Sequence, residues 1–453
     1  MEGLTIEELI KQSRQAKGLT QASLADRLAR VSGQATITRN EVSRWERGKR
    51  LPLAWLPWLS IVLDLPLAML DQAVVLSRAK RLGVTPPSVN DDRLTLFSDG
   101  WTRESNEAMA AGLAAEGEAL SEESALRVAH EWLIVEAPQL HEIRSGRRVG
   151  HSLIDKIETR VDHLRHLDDY VGGTDLHALV SREVEATITV VREAAYREDV
   201  GRRLLKAVGE LCQLAGWVTS DAGLYNRART YYVKGIQAAH VAEDEPTAAN
   251  LLSSLSYQMA NVGDPRQAAT MARTAAKGAE RSSTPLTRAL LLERVAWAHA
   301  KAGDSAITER ALGEVDQVFE QHGDGDEDPK WVYWLDRGEV DVMAGRCFTE
   351  LGRPLKAEPL LTQGLGTYDA TRAREFSLYL SWLADAYAQA REIERATEAA
   401  SQSLNLAVKV NSARLTDRIE AIRSRLRPFA DTAAVQRFED LYQSTVVSVT
   451  CPR

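Results

Sequence analysis

The sequence predicts an all-α protein, a small five-helix bundle followed by a right-handed solenoid of paired helices. Three observations carry that expectation. Residues 19–52, LTQASLADRLARVSGQATITRNEVSRWERGKRLP, read as two short amphipathic helices about a polar turn. In the second half, Gly223, Gly263, Gly303, Gly352 and Arg391 mark turns 40, 40, 49 and 39 residues apart. The charge is also divided. Residues 1–81 hold 13 Lys and Arg against 8 Asp and Glu, a net of +5, and the rest hold 43 against 56, a net of −13. A basic head on an acidic body is expected when only the head meets phosphates.

Taken in order, residues 5–17 form a helix with Ile6, Leu9 and Ile10 inward, stopped by Gly18. Thr20 and Gln21 open the next helix, whose apolar face is Leu24, Ala25 and Leu28, and residues 32–36 make a polar linker. Thr38 and Glu41 have the T-x-x-E spacing of a capping box, in which each side chain satisfies a backbone N–H. The helix from Arg39 to about Trp45 then turns Val42 and Trp45 inward and leaves Arg39, Asn40, Ser43 and Arg44 outward. Gly48 stops it. Helices over 53–63 and 67–76 begin near Pro52 and Pro66, and Trp55 and Trp58 serve either the core of this head or a dimer contact.

The run T-Q-x-x-L-A, a polar turn, and S-R-W-E-R-G-K-R-x-P resembles the XRE (lambda/434 repressor-like) helix-turn-helix family over about residues 4–78. The resemblance implies that the second motif helix lies in the major groove of double-stranded operator DNA. Arg39, Asn40, Ser43 and Arg44 would then read bases, Arg suiting guanine and Asn adenine. Gln21, Thr38, Arg47, Lys49 and Arg50 fall where the family contacts phosphates, and Arg14 and Glu46 where it has an internal ion pair.

A hinge over 82–92 (82–97 as a linker) carries two prolines and separates the head, residues 1–81, from the body. Residues 98–200 are read as a helical connecting region with degenerate first repeats, including helices over 98–119, 121–137 and 152–170. Gly172 and Gly173 close the last of these and Asp175 caps the next. The turn 145–150, SGRRVG, either grips a phosphate or is a plain loop. GRRVG…LRHLDDYVGG resembles the middle of actinobacterial XRE regulators that carry tetratricopeptide bodies.

Residues 201–411 are the repeats. Seven before each marker stands Gly216, Ser256, Ala296, Gly345 or Ala384, and five after it Ala228, Ala268, Thr308, Ala357 or Ala396. Small residues at both places let two helices approach closely. This resembles the tetratricopeptide repeat, in the elongated form of peptide-sensing Rap/PlcR/Rgg regulators, and implies a tetratricopeptide-like right-handed α-solenoid. The long interval holds an inserted loop, GDGDEDP, at 323–329, and residues 412–453 are capping helices and tail.

Six residues before the markers, Trp217, Tyr257, Trp297, Arg346 and Asp385 are expected on the concave face. Ten and thirteen before them, Glu210, Gln213, Asn250, Ser253, Glu293, Glu339 and Ser381 extend it. Such a groove suits a peptide, small-molecule or protein effector, unless the aromatics only close the solenoid's own packing.

No residue is put forward as catalytic, no cofactor is implied and no metal site is expected. His163 and His166 lack further ligands at zincin spacing, and Asp324, Asp326 and Asp328 start an EF-hand-like loop that Pro329 and Leu335 spoil. Cys212, Cys347 and Cys451 are too dispersed for a disulfide framework, no apolar run approaches membrane length, and MEGLTIEELIKQ lacks a signal pattern. The expectation is a cytoplasmic, homodimeric, sequence-specific DNA-binding regulator controlled through its solenoid. The alternative is a protein-interaction scaffold with a helix-turn-helix tether.

Overall fold

A computed structural model of the chain describes residues 4–32, 37–82, 122–134, 147–169, 173–367, 373–407 and 413–450. The described residues are helical apart from turns and one two-residue parallel pairing, Arg147–Arg148 with Ala194–Ala195. That pairing occupies part of the turn expected over 145–150. The helix expected over 98–119, the linker beyond residue 82 and Cys451 lie outside the described residues. Two compact units result, Met1–Thr95 with His130–Glu136, and Leu96–Ala129 with Ala137–Arg453.

The first unit holds α1 (Ile6–Ala16), α2 (Gln21–Ser32), α3 (Arg39–Glu46), a 3-10 turn at Leu53–Trp55, α4 (Leu56–Leu63) and α5 (Leu67–Leu82). Ile6, Leu9, Ile10, Leu24, Leu28, Val42, Trp45, Leu59, Leu63 and Leu70 form its core. Trp55 and Trp58 pack half-buried on that core, Trp55 with its ring 6.2 Å from that of Trp45. α1 begins where the Thr5 N–H donates to the Glu8 carboxylate (3.0 Å), a start signal the sequence reading passed over. It ends at Gly18, whose φ of 65° lets the Gly18 and Leu19 N–H groups fold back to the carbonyls of Gln15 and Arg14.

α5 runs six residues beyond its expected end at 76 because Ser77 is needed inside. Ser77 Oγ accepts from the Ile6 N–H (2.8 Å) and donates to Glu7 (2.6 Å), joining the start of α1 to α5. One turn on, Arg81 donates to the Gly48 carbonyl (2.7 Å) and fixes the loop after α3.

The second unit contains most of α6 (Glu122–Ile134), then α7 (His151–Asp168) and α8 (Gly173–Glu193). Gly173 opens α8, so Asp175 sits inside its first turn and not at a cap. Hairpins follow: α9 (Glu198–Asp221) with α10 (Tyr225–Val241), α11 (Glu245–Val262) with α12 (Pro265–Gly278), and α13 (Pro285–Lys301) with α14 (Ser305–Phe319). Then come α15 (Arg337–Glu350) with α16 (Pro354–Thr367), α17 (Ala373–Gln389) with α18 (Ile393–Ala407), and finally α19 (Ala413–Leu426) and α20 (Ala433–Thr450). Each hairpin packs along its length. The first helices α9, α11, α13, α15 and α17 also pack on one another in that order, and α19 lies on α17.

The five markers fall at the hairpin turns. Gly223, Gly303, Gly352 and Arg391 have φ of 79°, 77°, 68° and 64°, whereas Gly263 turns with φ −133°. The small residues face each other across the hairpins. A Cβ on Gly216 would stand 2.4 Å from the Tyr232 ring and one on Gly345 2.6 Å from Leu361. Ser256 Oγ donates to the Ala268 carbonyl (2.8 Å), which only a small side chain at each place permits.

Candidate functional site

In the first unit, α3 presents one polar face. Arg39, Asn40 and Arg44 are exposed and Ser43 is half-buried, while Val42 and Trp45 anchor the opposite side. Thr38, Arg47, Lys49 and Arg50 are exposed beside them, and Gln21 is half-buried. Two internal networks pin this surface. Arg14 donates to Glu46, Nη2 to Oε2 at 3.1 Å, and Gln21 Nε2 donates to the same carboxylate at 2.7 Å, so Gln21 is held by the scaffold and its amide oxygen is the group left to act outward. The capping box is only half made. Thr38 Oγ1 accepts from the Glu41 N–H (3.4 Å), but the Glu41 carboxylate takes Arg44 (2.8 Å) and Arg50 (3.2 Å) instead of returning to the helix start. Two exposed arginines outweigh a single N–H as partners for this half-buried acid, since charged hydrogen bonds are the stronger. Both guanidiniums are thereby held over α3.

In the second unit the expected aromatic row is present and longer than expected. Ring centroids are 5.8 Å apart for Trp217 and Tyr257, 6.0 Å for Tyr257 and Trp297, and 5.5 Å for Trp297 and Trp382. The row is not an open groove. α19 lies against it, with Arg414 4.8 Å above Trp217 and Arg418 3.4 Å above Trp382. Arg414 also donates to Asp221 of α9 (2.6 Å), and Arg418 to Asp385 of α17 (3.1 Å).

α7 and the segment just after the inserted loop close the other side. Arg374 of α17 binds Asp168 of α7 (3.1 Å), Lys330 reaches Asp162 (3.3 Å), and Tyr333 donates to Asp169 (2.7 Å) while stacking on His166. What remains is a cavity of about 140 Å³. Gln213, Trp217, Asn250, Tyr257 and Arg346 line it, as does Glu339.

The other expected groove residues are placed elsewhere. Trp297 (0 % exposed) is enclosed between its neighbours in the row, and Ser253 bonds back to the Asn250 carbonyl (2.9 Å). Glu210 accepts from Arg165 (2.9 Å), Asp385 is taken by Arg418 and Arg425, and Glu293 is buried behind the wall. Residues not singled out from the sequence, among them Arg165, Arg294, Arg374, Arg414, Tyr379, Trp331 and Trp334, also line it. A signal for Arg294 did exist. It stands nine residues before its marker, level with Leu214, Ser254 and Met343, all of which face the cavity. On a 3.6-residue helix the positions nine and thirteen before the marker lie about 60° and 20° to one side of the sixth, and the tenth about 40° to the other. The lining therefore extends one row beyond the edge of the stripe expected from the sequence.

The cavity's electrostatics follow from burial. Burial pushes Glu293 up to about 8, against the attraction of Arg294. It likewise pushes Glu339 up to about 7, although the Tyr379 hydroxyl donates to that carboxylate (2.7 Å). Burial also works to raise Tyr257, yet Arg346, Arg414 and Arg294 together pull it down to about 8. Near neutrality Glu293 and Glu339 thus each carry less than a full negative charge, while Tyr257 is drawn toward ionisation.

Glu293, 1 % exposed, is protonated in the fold and ionised in the unfolded chain between its ordinary value of 4.5 and about 8. Its contribution is present below that window and is lost as pH rises through it. Glu293→Gln is therefore expected to be near neutral at the acid end and to stabilise increasingly toward the alkaline end. The gain over wild type is at most about 1.4 kcal/mol per pH unit, read from urea midpoints across the range.

Among the described residues no group of His, Cys, Asp and Glu is placed to hold a metal ion, and no helix is long and apolar enough to cross a membrane. No protein-family model matches the chain, and no curated protein matches it.

Proposed function

We propose that the chain is a transcription regulator: an XRE-type helix-turn-helix head that reads double-stranded DNA, carried on a tetratricopeptide-like right-handed α-solenoid that binds an effector. The observation that carries the first half is α3. It is a short helix anchored by Val42 and Trp45, presenting Arg39, Asn40 and Arg44 to solvent, with Arg47, Lys49 and Arg50 following on the same basic head. Arginine and asparagine are the side chains suited to bidentate base contacts, and an anchored scaffold sets their register. Gln21, Thr38, Arg47, Lys49 and Arg50 fix the duplex through its phosphates in this reading.

The cavity supports the second half. It lies where the first helices of the hairpins, α7 and α19 converge, so a molecule bound there stabilises one spacing of those helices over another. It can shift the protein only by its differential affinity for the two forms. Two copies, acting as a homodimer in the cytoplasm, would present two α3 helices to a two-fold operator.

The test is a gel-shift series on genomic fragments with the full chain, followed by variants on the selected site. Arg44→Ala is expected to cost about 1–3 kcal/mol and relax base preference at one position. Arg50→Ala is expected to weaken all sequences alike and to reduce the salt slope by about 1. Unchanged operator affinity for Arg44→Ala at fixed salt would remove α3 as the reading helix.

A further inference from the structure

Two arginines in the cavity wall stand apart from the rest. Arg374 and Arg414 are matched by Asp168, Glu375 and Asp221. Arg294 and Arg346, each 5 % exposed, make no ion pair among the described residues. The Arg346 Nη2 donates to the Tyr257 hydroxyl (2.6 Å), and Arg294 lies with its guanidinium carbon 4.7 Å from the centre of the same ring. The Nε atom of each is buried with no acceptor. A guanidinium cannot shed its proton to escape such a place. Two of them turned toward one cavity call for an anion or ordered water to balance them.

We propose that this cavity binds a small aromatic carboxylate, its carboxylate between Arg294 and Arg346 and its ring against the aromatic wall. The proposal rests on the effector reading above and names the effector's chemical class. Size sets one limit: the cavity holds about 140 Å³, and a dry cavity of roughly 150 Å³ accepts benzene. A helical or extended peptide cannot be enclosed in it. The lining sets another. Trp217, Tyr257, Trp331, Trp334 and Tyr379 are among the lining, so much of the wall is aromatic. Charge sets the third, because Asp168, Asp169 and Glu375 also border the space and oppose a dianion such as phosphate. A single carboxylate fits the planar fork of a guanidinium and brings less charge to those acids than a dianion does. The raised Glu293 and Glu339 groups agree, since neither supplies a full negative charge near neutral pH.

The experiment is calorimetric titration of the full chain, without DNA, with benzoate, benzamide and inorganic phosphate at constant ionic strength. Saturable binding of benzoate is expected, with benzamide, the same ring lacking the charge, weaker by at least about tenfold. Arg294→Gln is expected to weaken benzoate by at least about tenfold and, by removing an unpaired buried charge, to raise the melting temperature of the unliganded protein. Three results overturn the proposal: no saturable benzoate heat at millimolar concentration, phosphate bound as tightly as benzoate, or an Arg294→Gln protein that melts lower and binds benzoate unchanged. The first two are read on the wild-type chain and do not depend on the variant folding. Because no DNA is present, failure here leaves base reading by α3 to be judged by the gel shifts alone.

Discussion

Asp221→Ala lowers the stability of the body by about 3–5 kcal/mol, read as a fall in urea midpoint at unchanged slope. Asp221 ends α9 at 1 % exposure and accepts from Arg414 of α19 at 2.6 Å, with Arg374 of α17 at 3.8 Å. Three helices from distant parts of the sequence therefore share one carboxylate. Removing it leaves Arg414 facing Trp217 (4.8 Å) with no other carboxylate in an ion pair among the described residues, and leaves Arg374 to Asp168 and Glu375. The loss is large because a guanidinium remains in the interior, not because an ion pair there is a strong contributor in itself. Asp221→Asn retains an acceptor for the Arg414 N–H but no charge, so its midpoint is expected between those of wild type and Asp221→Ala. A fall of less than about 1 kcal/mol for Asp221→Ala, the size of an exposed pair, would show that Arg414 is balanced by other means.

That contact marks the limit of what the sequence discloses. Periodicity and punctuation are local, and they give the head's helices, the hairpin turns and the small residues such as Gly216 and Gly345 where two helices touch. The aromatic row at a constant offset from the turns is legible for the same reason, because one repeat position recurs on one helix face. What covers the row depends on pairings such as Arg374 with Asp168, 206 residues apart, and Arg414 with Asp221, 193 apart. A charged residue in sequence carries no sign of its partner, so the expected open groove is in fact roofed by α7, α19 and the segment just after the inserted loop. The same blindness hides Glu41's choice of Arg44 and Arg50 over the backbone. The T-x-x-E spacing is right for a capping box, and only the position of the arginines decides otherwise.

Trp297→Ala is expected to cost about 3–5 kcal/mol, read from urea midpoints. Trp297 is wholly buried, with Trp382 edge-on at 5.5 Å, Tyr257 tilted at 6.0 Å and the Arg346 guanidinium 4.6 Å from its ring. Alanine there opens a void between α13, α15 and α17 and also strips an aromatic face from Arg346, which has no carboxylate partner among the described residues. Trp297→Phe separates the two effects. The indole N–H has no acceptor among the described residues, so phenylalanine forfeits no hydrogen bond and keeps a ring under the guanidinium. Its cost is then the smaller volume alone, about 1–2 kcal/mol. Because Trp297 stands behind the cavity wall, the phenylalanine variant is also expected to keep its affinity for benzoate. Equal destabilisation by Phe and Ala would mean that the indole N–H is bonded in solution, and that the row is held by hydrogen bonding as well as by packing.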